Sequence, residues 1–127
     1  MIIGIGVDII EIDRIRKSIE RFGDHFLNKI YTQNELDYCL AKHNKYQHLA
    51  ARFAAKEAIY KAIASGWEKE ATWKNIEITN EQNGLPIVKF LGKLNDFISD
   101  GKEIKISLSH SENYVVAVAI IYKNHIL

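Results

Sequence analysis

The sequence predicts an α+β fold in which one long helix packs against a small, mostly antiparallel β-sheet. Three patterns support this class: an apolar alternation at residues 3–9, an alanine-rich segment at about residues 47–64, and a β-branched and aromatic run at residues 114–122. The chain of 127 residues has the length of one domain, which we expect to span residues 1–127.

The N-terminal part is predicted to form a strand followed by two helical segments. Ile and Val alternate from residue 3 to residue 9, and Gly4 and Gly6 lie on the opposite face. Glycines in a strand indicate a place where another backbone approaches closely. A helix is expected at about residues 13–21 and a short helical segment at residues 25–30.

Two further helices are predicted before the middle of the chain. Thr32 and Glu35 have the spacing of a capping box, so a helix begins there and continues to about residue 42. The long helix covers about residues 47–64, and Gly66 stands just beyond it as a stop signal.

The C-terminal half is predicted to contain strands, tight turns and one helix. Asn83 and Gly84 form a strong turn signal, and residues 111–113 have the composition of a hairpin turn. Gly101 ends a segment whose apolar residues recur at helical spacing. The strands are expected at residues 75–79, 86–89, 103–109 and 114–122, and the helix at residues 90–98.

The composition is ordinary for a globular protein, with 47% hydrophobic and 26% charged residues and a net charge of +1. No apolar run reaches the ~18 residues of a membrane span, and we expect neither a membrane nor a nucleic-acid partner. The apolar N-terminus carries Asp8 and no basic leader, which indicates a strand rather than a signal peptide. The single cysteine, Cys39, excludes an internal disulfide. These features favour the cytoplasm.

The segment around residues 52–62 carries the strongest functional pattern. Glu57 and Lys61 are four residues apart and share one helical face, while Arg52 and Lys56 share an adjacent face. A magnesium ion prefers one or two carboxylates together with phosphate oxygens, and nearby cations neutralise charge on a leaving phosphate. The pattern therefore indicates a site for a metal and a phosphate together.

Asp8 is a second carboxylate of interest, because an unpaired aspartate within an apolar strand is costly. Together with Glu57 it would complete a two-carboxylate magnesium site. Two structural interpretations stay open. In the first, Asp8 is a cap for the following helix. In the second, Glu57 and Lys61 form an ordinary surface ion pair that stabilises the helix by roughly 0.3–0.5 kcal/mol.

Two more groups of polar residues have functional interpretations. His110 lies where a strand runs into a turn, so it can accept a proton near neutral pH, contact a phosphate, or simply hydrogen-bond within the turn. Arg14, Lys17 and Arg21 form one helical stripe, which predicts either a docking surface for an acidic partner or a solvated face. The opposing apolar stripe consists of Ile12, Ile15, Ile19 and Phe22.

Four motifs follow one another along the chain. They are G-x-D-I-x-x-I-x-R at residues 6–14, R-F-A-A-K-E-A-x-x-K at residues 52–61, N-G-x-P at residues 83–86 and S-x-S-H-S at residues 107–111. In this order and spacing the sequence resembles the holo-acyl-carrier-protein synthases, the short form of the 4′-phosphopantetheinyl transferases. The resemblance extends over essentially the whole chain.

The resemblance implies transfer of 4′-phosphopantetheine from coenzyme A to a serine of apo-acyl carrier protein, with release of adenosine 3′,5′-bisphosphate, as in fatty acid biosynthesis. It implies that Asp8 and Glu57 bind Mg²⁺. It further implies that Lys61 contacts the phosphates and that His110 lies near the pantetheine phosphate. Glu57, Lys61 and His110 are thus the expected catalytic residues.

The resemblance also implies two binding surfaces. The residues expected to bind the nucleotide end of coenzyme A are Arg52, Asn83, Gly84 and Pro86, to which we add Lys56. Arg14 and Arg21, with Lys17 in the same stripe, match a cationic helix that meets the acidic recognition helix of the carrier protein. One position departs from the family: Leu85 stands where a basic residue is frequent, so Lys42, Lys45 or Arg52 would have to compensate.

Chain length bears on assembly. Relatives of roughly twice this size contain two similar halves with the site between them, so the resemblance implies a homotrimer with three sites at the subunit interfaces. Residues 115–121 are a candidate for the central contact, or else an internal core strand. Two other functions stay open: another magnesium-dependent enzyme acting on a phosphoanhydride, and a non-catalytic module that binds acidic helical proteins.

Overall fold

A three-stranded antiparallel sheet with one long helix across its face forms the centre of the fold, as a computed structural model of the chain shows. The structure describes residues 1–63, 72–98 and 100–124. The elements in chain order are β1 (Ile2–Glu11), α1 (Ile12–Phe22), α2 (Asp24–Ile30), α3 (Gln33–Leu40), α4 (Lys45–Ile63), a 3₁₀ turn (Trp73–Asn75), β2 (Ile76–Asn80), β3 (Pro86–Phe90), α5 (Lys93–Ile98), β4 (Lys102–His110) and β5 (Tyr114–Lys123). Ala64 and Gly66, where the sequence predicts the end of the long helix, lie outside the described residues.

The central sheet has the strand order β1–β5–β4, and both pairings are antiparallel. Asp8 of β1 lies opposite Ala117 of β5, which in turn lies opposite Leu108 of β4. The β2–β3 hairpin forms a second, separate sheet. The predicted α+β class is confirmed, with the antiparallel strands divided between two sheets.

Helix α4 crosses the central sheet with its backbone almost in contact with β1. A Cβ atom built on Gly6 would lie 1.8 Å from the carbonyl oxygen of Ala58, and one on Gly4 would lie 1.9 Å from that of Ala62. Only a residue without a side chain permits this approach. The close contact predicted for the glycine face is therefore confirmed, and α4 is the element that makes it.

Replacing Gly6 by alanine is expected to lower the free energy of unfolding by about 3 kcal/mol, because the added methyl group must push α4 away from β1. Urea unfolding followed by circular dichroism measures this loss. Ser107→Ala, at an exposed position of β4, is the control and should unfold like the parent protein. Equal stability of the Gly6→Ala and parent proteins would contradict the close packing.

The other face of the central sheet is uncovered and apolar. Ile5, Val7 and Ile9 of β1 are 60%, 55% and 64% exposed, whereas the helix-facing Ile10 is buried. The residues paired with these three on β5 are the half-buried Ile120, Val118 and Val116. A contiguous apolar patch of this kind marks an interaction surface.

Most predicted elements are present, with shifted ends. Helix α3 ends at Leu40 rather than near residue 42, and α4 begins at Lys45 rather than at residue 47. Phe90 was expected to begin a helix but ends β3, because it pairs with Ile76 across the hairpin; α5 begins only at Lys93. Of the helices in the described ranges, none combines the length and apolar character that crossing a membrane requires.

The local turn and cap signals are confirmed. The Glu35 N–H donates to Thr32 Oγ1 at 3.3 Å, and the Thr32 N–H donates to Glu35 Oε1 at 2.9 Å, which completes the capping box at the start of α3. The Ser111 N–H donates to the carbonyl oxygen of Tyr114 at 2.9 Å and closes the β4–β5 hairpin. These features form from residues close together in the chain, which is why the sequence reveals them.

Candidate active site

Asp8 and Glu57 lie where β1 and α4 meet at the glycine contact. Asp8 is on the helix-facing side of β1, two residues beyond Gly6, and Glu57 is half-buried on α4. Lys61, one turn further along α4, donates from Nζ to Asp8 Oδ1 at 3.2 Å and to the Val7 carbonyl oxygen at 3.1 Å. The structure thus brings together three residues that the sequence predicts to act together.

The structure shows neither of the two structural roles left open by the sequence, a helix cap for Asp8 and a surface ion pair between Glu57 and Lys61. Asp8 is not the cap of α1, because the N-cap position belongs to Glu11 and no side chain caps that helix. Lys61 makes its ion pair with Asp8, and within the described ranges it makes none with Glu57. Asp8 and Lys61 therefore connect the strand to the helix, and Glu57 has no such partner in the described part of the chain.

The electrostatics of this cluster favour a bound cation. Burial raises the pKa of the Glu57 carboxyl above its ordinary value, the charge of Asp8 raises it further, and Lys61 lowers it. Two carboxylates and one ammonium leave an excess negative charge in a half-buried place. Mg²⁺ fits this donor set, because it takes one or two carboxylates and completes its shell with water and phosphate oxygens. Residues 1–63, 72–98 and 100–124 contain no group of three or more acidic, histidine or cysteine side chains suited to a metal.

Arg52 of α4 is only 4% exposed and is directed towards the end of β2. Its Nη2 donates to Asn80 Oδ1 at 2.8 Å, and its Cζ lies 4.6 Å from the centre of the Tyr38 ring. Its Nε is buried and has no hydrogen-bond partner among the described residues. Because no carboxylate in the described ranges pairs with this guanidinium, an anion is the partner that its chemistry favours.

The predicted nucleotide-binding residues Asn83 and Gly84 form the tip of the β2–β3 hairpin. Gly84 has a φ angle of 87°, which strongly favours glycine, and Asn83 Oδ1 accepts a hydrogen bond from the Leu85 N–H at 3.1 Å. Pro86 begins β3 opposite Asn80, whose Nδ2 donates to the Gly84 carbonyl oxygen at 3.1 Å. Asn80 therefore contacts both Arg52 and this turn.

The structure corrects the prediction that Lys56 binds the cofactor. Its side chain is fully buried, and its Nζ donates to Glu35 Oε1 at 2.6 Å and to the Ile30 carbonyl oxygen at 2.8 Å. Glu35 also accepts the Ile78 N–H at 2.8 Å, in addition to the capping bond from Thr32. Lys56 faces the interior because it and Glu35 form a buried ion pair that joins α4 to α2, α3 and β2.

His110 ends β4 and is not in contact with the carboxylate pair. Its register partner Val115 is buried, so His110 is on the helix-facing side of the sheet. Burial lowers the pKa of His48 on α4, and the charges of Arg52 and His110 are among those that lower it further. His110 is therefore near the N-terminal half of α4. Strand β5 separates it from Asp8, and the described residues include no hydrogen bond between the two.

Helix α1 exposes Arg14, Lys17 and Arg21, as the sequence predicts. Lys17 pairs with Asp13 at 3.1 Å, whereas Arg14 and Arg21 have no anionic partner in the described ranges. The three cations border a shallow groove of about 320 Å³. Phe22, the last residue of the apolar stripe, is 52% exposed beside the groove, and the Arg21 guanidinium lies over its ring.

Sequence reasoning missed several residues that organise this region. Glu35 was predicted as a helix cap and not as the partner of Lys56. Tyr38 and Asn80 were not singled out, although both hold Arg52. The position of Asn80 at a strand end beside an Asn-Gly turn is the one signal that indicates its role.

The carboxylate pair with its lysine, and the arginine that no described carboxylate neutralises, suit an enzyme that acts on a phosphate-containing substrate. Residues 4–119 match the family model of the 4′-phosphopantetheinyl transferase superfamily. The chain therefore belongs to this superfamily, and the resemblance based on the four motifs is confirmed.

Within that superfamily the chain is similar to proteins named holo-[acyl-carrier-protein] synthase. The one from Koribacter versatilis is 46% identical over 123 residues, covering 95% of this chain and 98% of the relative. The one from Chlamydia trachomatis is 49% identical over 118 residues, covering 92% of this chain and 97% of the relative.

The chain is also similar to solved structures of holo-[acyl-carrier-protein] synthases. The crystal structure of the Neisseria meningitidis synthase has a TM-score of 0.88 and 33% identity, and the match covers 97% of this chain and 100% of that one. The Bacillus anthracis synthase, determined in complex with coenzyme A (3′,5′-ADP), has a TM-score of 0.80 and 35% identity, with coverage of 98% and 99%.

Proposed function

We propose that this chain transfers the 4′-phosphopantetheine group of coenzyme A to a serine hydroxyl of an apo-acyl carrier protein, with release of adenosine 3′,5′-bisphosphate. The observation that carries the proposal is the Asp8–Glu57 carboxylate pair with Lys61, held at the contact between β1 and α4. The similar synthases, one of them solved in complex with coenzyme A, support the same donor and acceptor.

Each charged residue of the candidate site has a role that follows from its chemistry. Asp8 and Glu57 would hold Mg²⁺, which when bound neutralises charge on the diphosphate. Lys61 keeps its ammonium beside Asp8 with 54% of its side chain exposed, so it can meet a phosphate at the same place. Arg52 offers an uncompensated charge near the hairpin turn. Phosphoryl-type transfer depends mainly on positioning and charge neutralisation, and these residues supply both.

The direct experiment is to incubate the protein with apo-acyl carrier protein, coenzyme A and magnesium, and then to measure the mass of the carrier protein by mass spectrometry. We expect the mass gain of phosphopantetheine, and we expect a chelator to abolish it. A carrier protein of unchanged mass in the presence of all components would refute the proposal. Hydrolysis of coenzyme A without a mass gain would instead favour an enzyme that cleaves phosphoanhydrides.

We further propose that three copies assemble through the uncovered face of the central sheet. Ile5, Val7 and Ile9 are exposed there, and removing such apolar area from water contributes about 25 cal/mol per Å², from which the entropy cost of association is subtracted. We also propose, from the similarity to the synthases, that the sites lie at the subunit interfaces, because β5 separates His110 from the carboxylate pair within one chain. Sedimentation equilibrium tests the assembly, and a monomer at all concentrations would contradict it.

The exposed cations of α1 are proposed to bind the acidic surface of the carrier protein. Arg14 and Arg21 have no anionic partner in the described part of the chain, and the groove beside them ends at the exposed ring of Phe22. Charged rims of this kind steer association and set partner choice. The cytoplasmic location and the single-domain organisation expected from the sequence stay predictions.

Replacing Arg14 by alanine is expected to raise the Michaelis constant for carrier protein about tenfold while leaving that for coenzyme A unchanged, because Arg14 lies on α1, whereas Arg52 and the hairpin turn belong to other elements. Steady-state kinetics with each substrate varied in turn measure the two constants. Arg16→Ala is the matched control, since Arg16 already pairs with Asp13 and Glu20 on its own helix. Equal rises in both constants would argue against the docking surface.

A further inference from the structure

We infer that Asn80 is a positioning residue, which fixes the guanidinium of Arg52 against the turn at residues 81–85 and so prepares both for the nucleotide end of coenzyme A. The inference rests on the proposed function, because it assigns a role within the same site. Asn80 is not part of any of the four motifs, and it touches neither carboxylate among the contacts of the described chain.

Both ends of the Asn80 amide are used. Its Oδ1 accepts from Arg52 Nη2 at 2.8 Å, and its Nδ2 donates to the Gly84 carbonyl oxygen at 3.1 Å. An amide can make this pair of bonds because one of its ends only accepts and the other only donates. Arg52 belongs to α4 and Gly84 to the hairpin turn, so Asn80 connects the helix that carries Glu57 to the turn.

The remaining surroundings of Arg52 hold the guanidinium without neutralising it. Tyr38 provides a ring face 4.6 Å from Cζ, and Asn80 is an uncharged acceptor. The Nε atom is buried without a partner, and no ion pair in the described ranges includes Arg52. Arg52 is therefore fixed in orientation, while no carboxylate of the described chain neutralises its charge, and an anion is the partner that this arrangement favours.

An amide and a carboxylate at position 80 would act differently, although they have the same size. The carboxylate of an Asn80→Asp variant keeps the acceptor for Arg52 but cancels its charge, and it loses the donor to the Gly84 carbonyl oxygen. A carboxylate at position 80 compensates the charge of the buried arginine and therefore competes with a phosphate for it. This substitution therefore separates a role in positioning from a role in stability.

The test uses steady-state transfer assays on Asn80→Asp and Asn80→Ala, with the Michaelis constants for coenzyme A and for carrier protein measured separately. We expect Asn80→Asp to raise the constant for coenzyme A by about tenfold to a hundredfold, the range of one charge-assisted hydrogen bond, with no change for carrier protein. Its melting temperature is expected to equal or exceed that of the parent protein. Calorimetric titration with adenosine 3′,5′-bisphosphate should show the same loss of affinity.

Asn95→Asp, the same substitution at an exposed position of α5, controls for the added negative charge and should leave both constants unchanged. Asn80→Ala removes both hydrogen bonds and should also raise the constant for coenzyme A; if it does not fold, Asn80→Asp decides the question alone. An unchanged constant for coenzyme A in Asn80→Asp, or equal rises for both substrates, overturns the inference. Absence of transfer by the parent protein overturns the proposed function instead.

Discussion

Glu35→Ala is expected to lower the free energy of unfolding by about 3–5 kcal/mol, the cost typical of breaking an ion pair inside a protein. The substitution leaves the buried Lys56 ammonium with the Ile30 carbonyl oxygen as its remaining hydrogen-bond acceptor among the described residues, and it deprives the Ile78 N–H of its acceptor. Urea unfolding at neutral pH measures the loss.

The pH dependence of this variant gives a second measurement. Burial lowers the pKa of Lys56, and Glu35 opposes that effect. Without Glu35 the folded protein binds this proton still more weakly than the unfolded chain does, so the charge-dependent part of the loss is full at neutral pH. It shrinks as the pH rises and disappears above the ordinary lysine pKa of 10.5, where the side chain is neutral in both states.

The double variant Glu35→Ala with Lys56→Met is the control for the charge. Replacing a buried ion pair by apolar side chains is often neutral, so the double variant should recover most of the stability that Glu35→Ala loses. If it recovers none, the loss comes from the hydrogen bonds to Thr32 and Ile78, and the importance of the ion pair is contradicted.

Glu57→Gln is expected to reduce the rate of phosphopantetheine transfer by about a hundredfold or more, because an amide cannot replace a carboxylate as a ligand for a divalent cation. Asp8→Asn should have an effect of the same kind. Transfer rates measured over a magnesium titration test both variants. Asp37→Asn, an exposed carboxylate on α3, is the matched control and should retain the parent rate. Full activity of Glu57→Gln would refute its role as a ligand.

The same Glu57→Gln substitution is expected to raise thermal stability when magnesium is removed by a chelator. The folded-state pKa of Glu57 is raised, so the folded protein holds this proton more tightly than the unfolded chain. Above that pKa the ionised carboxylate destabilises the fold, and the destabilisation disappears as the pH falls through it. Thermal unfolding at neutral and acidic pH should show the parent protein approaching the variant as the pH is lowered. Magnesium should stabilise only the parent.

The features that sequence reasoning captured best depend on residues close together in the chain. The capping box of Thr32 and Glu35, the turn at Asn83 and Gly84, and the alternation along β1 each need only a few neighbouring positions. The pairing of Asp8 with α4 is the exception, since 49 residues separate Asp8 from Glu57. The chemistry of the two carboxylates, and then the resemblance to a family, indicated that they act together, because no local periodicity connects them.

The errors arose where the burial of a polar side chain depends on a distant partner. Lys56 follows the same helical pattern as a surface cation, and nothing near it in the chain indicates that Glu35, 21 positions away, neutralises it in the interior. Arg52 and Asn80 are similarly 28 positions apart. Phe22 also departs from the helical pattern, because it belongs to the apolar stripe of α1 and yet is 52% exposed.

The nearly touching main chains of β1 and α4 have one more consequence. With no side chain at Gly4 or Gly6, the gap between strand and helix is limited by hard repulsion between backbone atoms, which compresses very little. The scaffold beneath the two acidic groups therefore resists compression. A smaller ion must be accommodated by rotation of the Asp8 and Glu57 side chains, because the backbones of the strand and the helix cannot approach any closer.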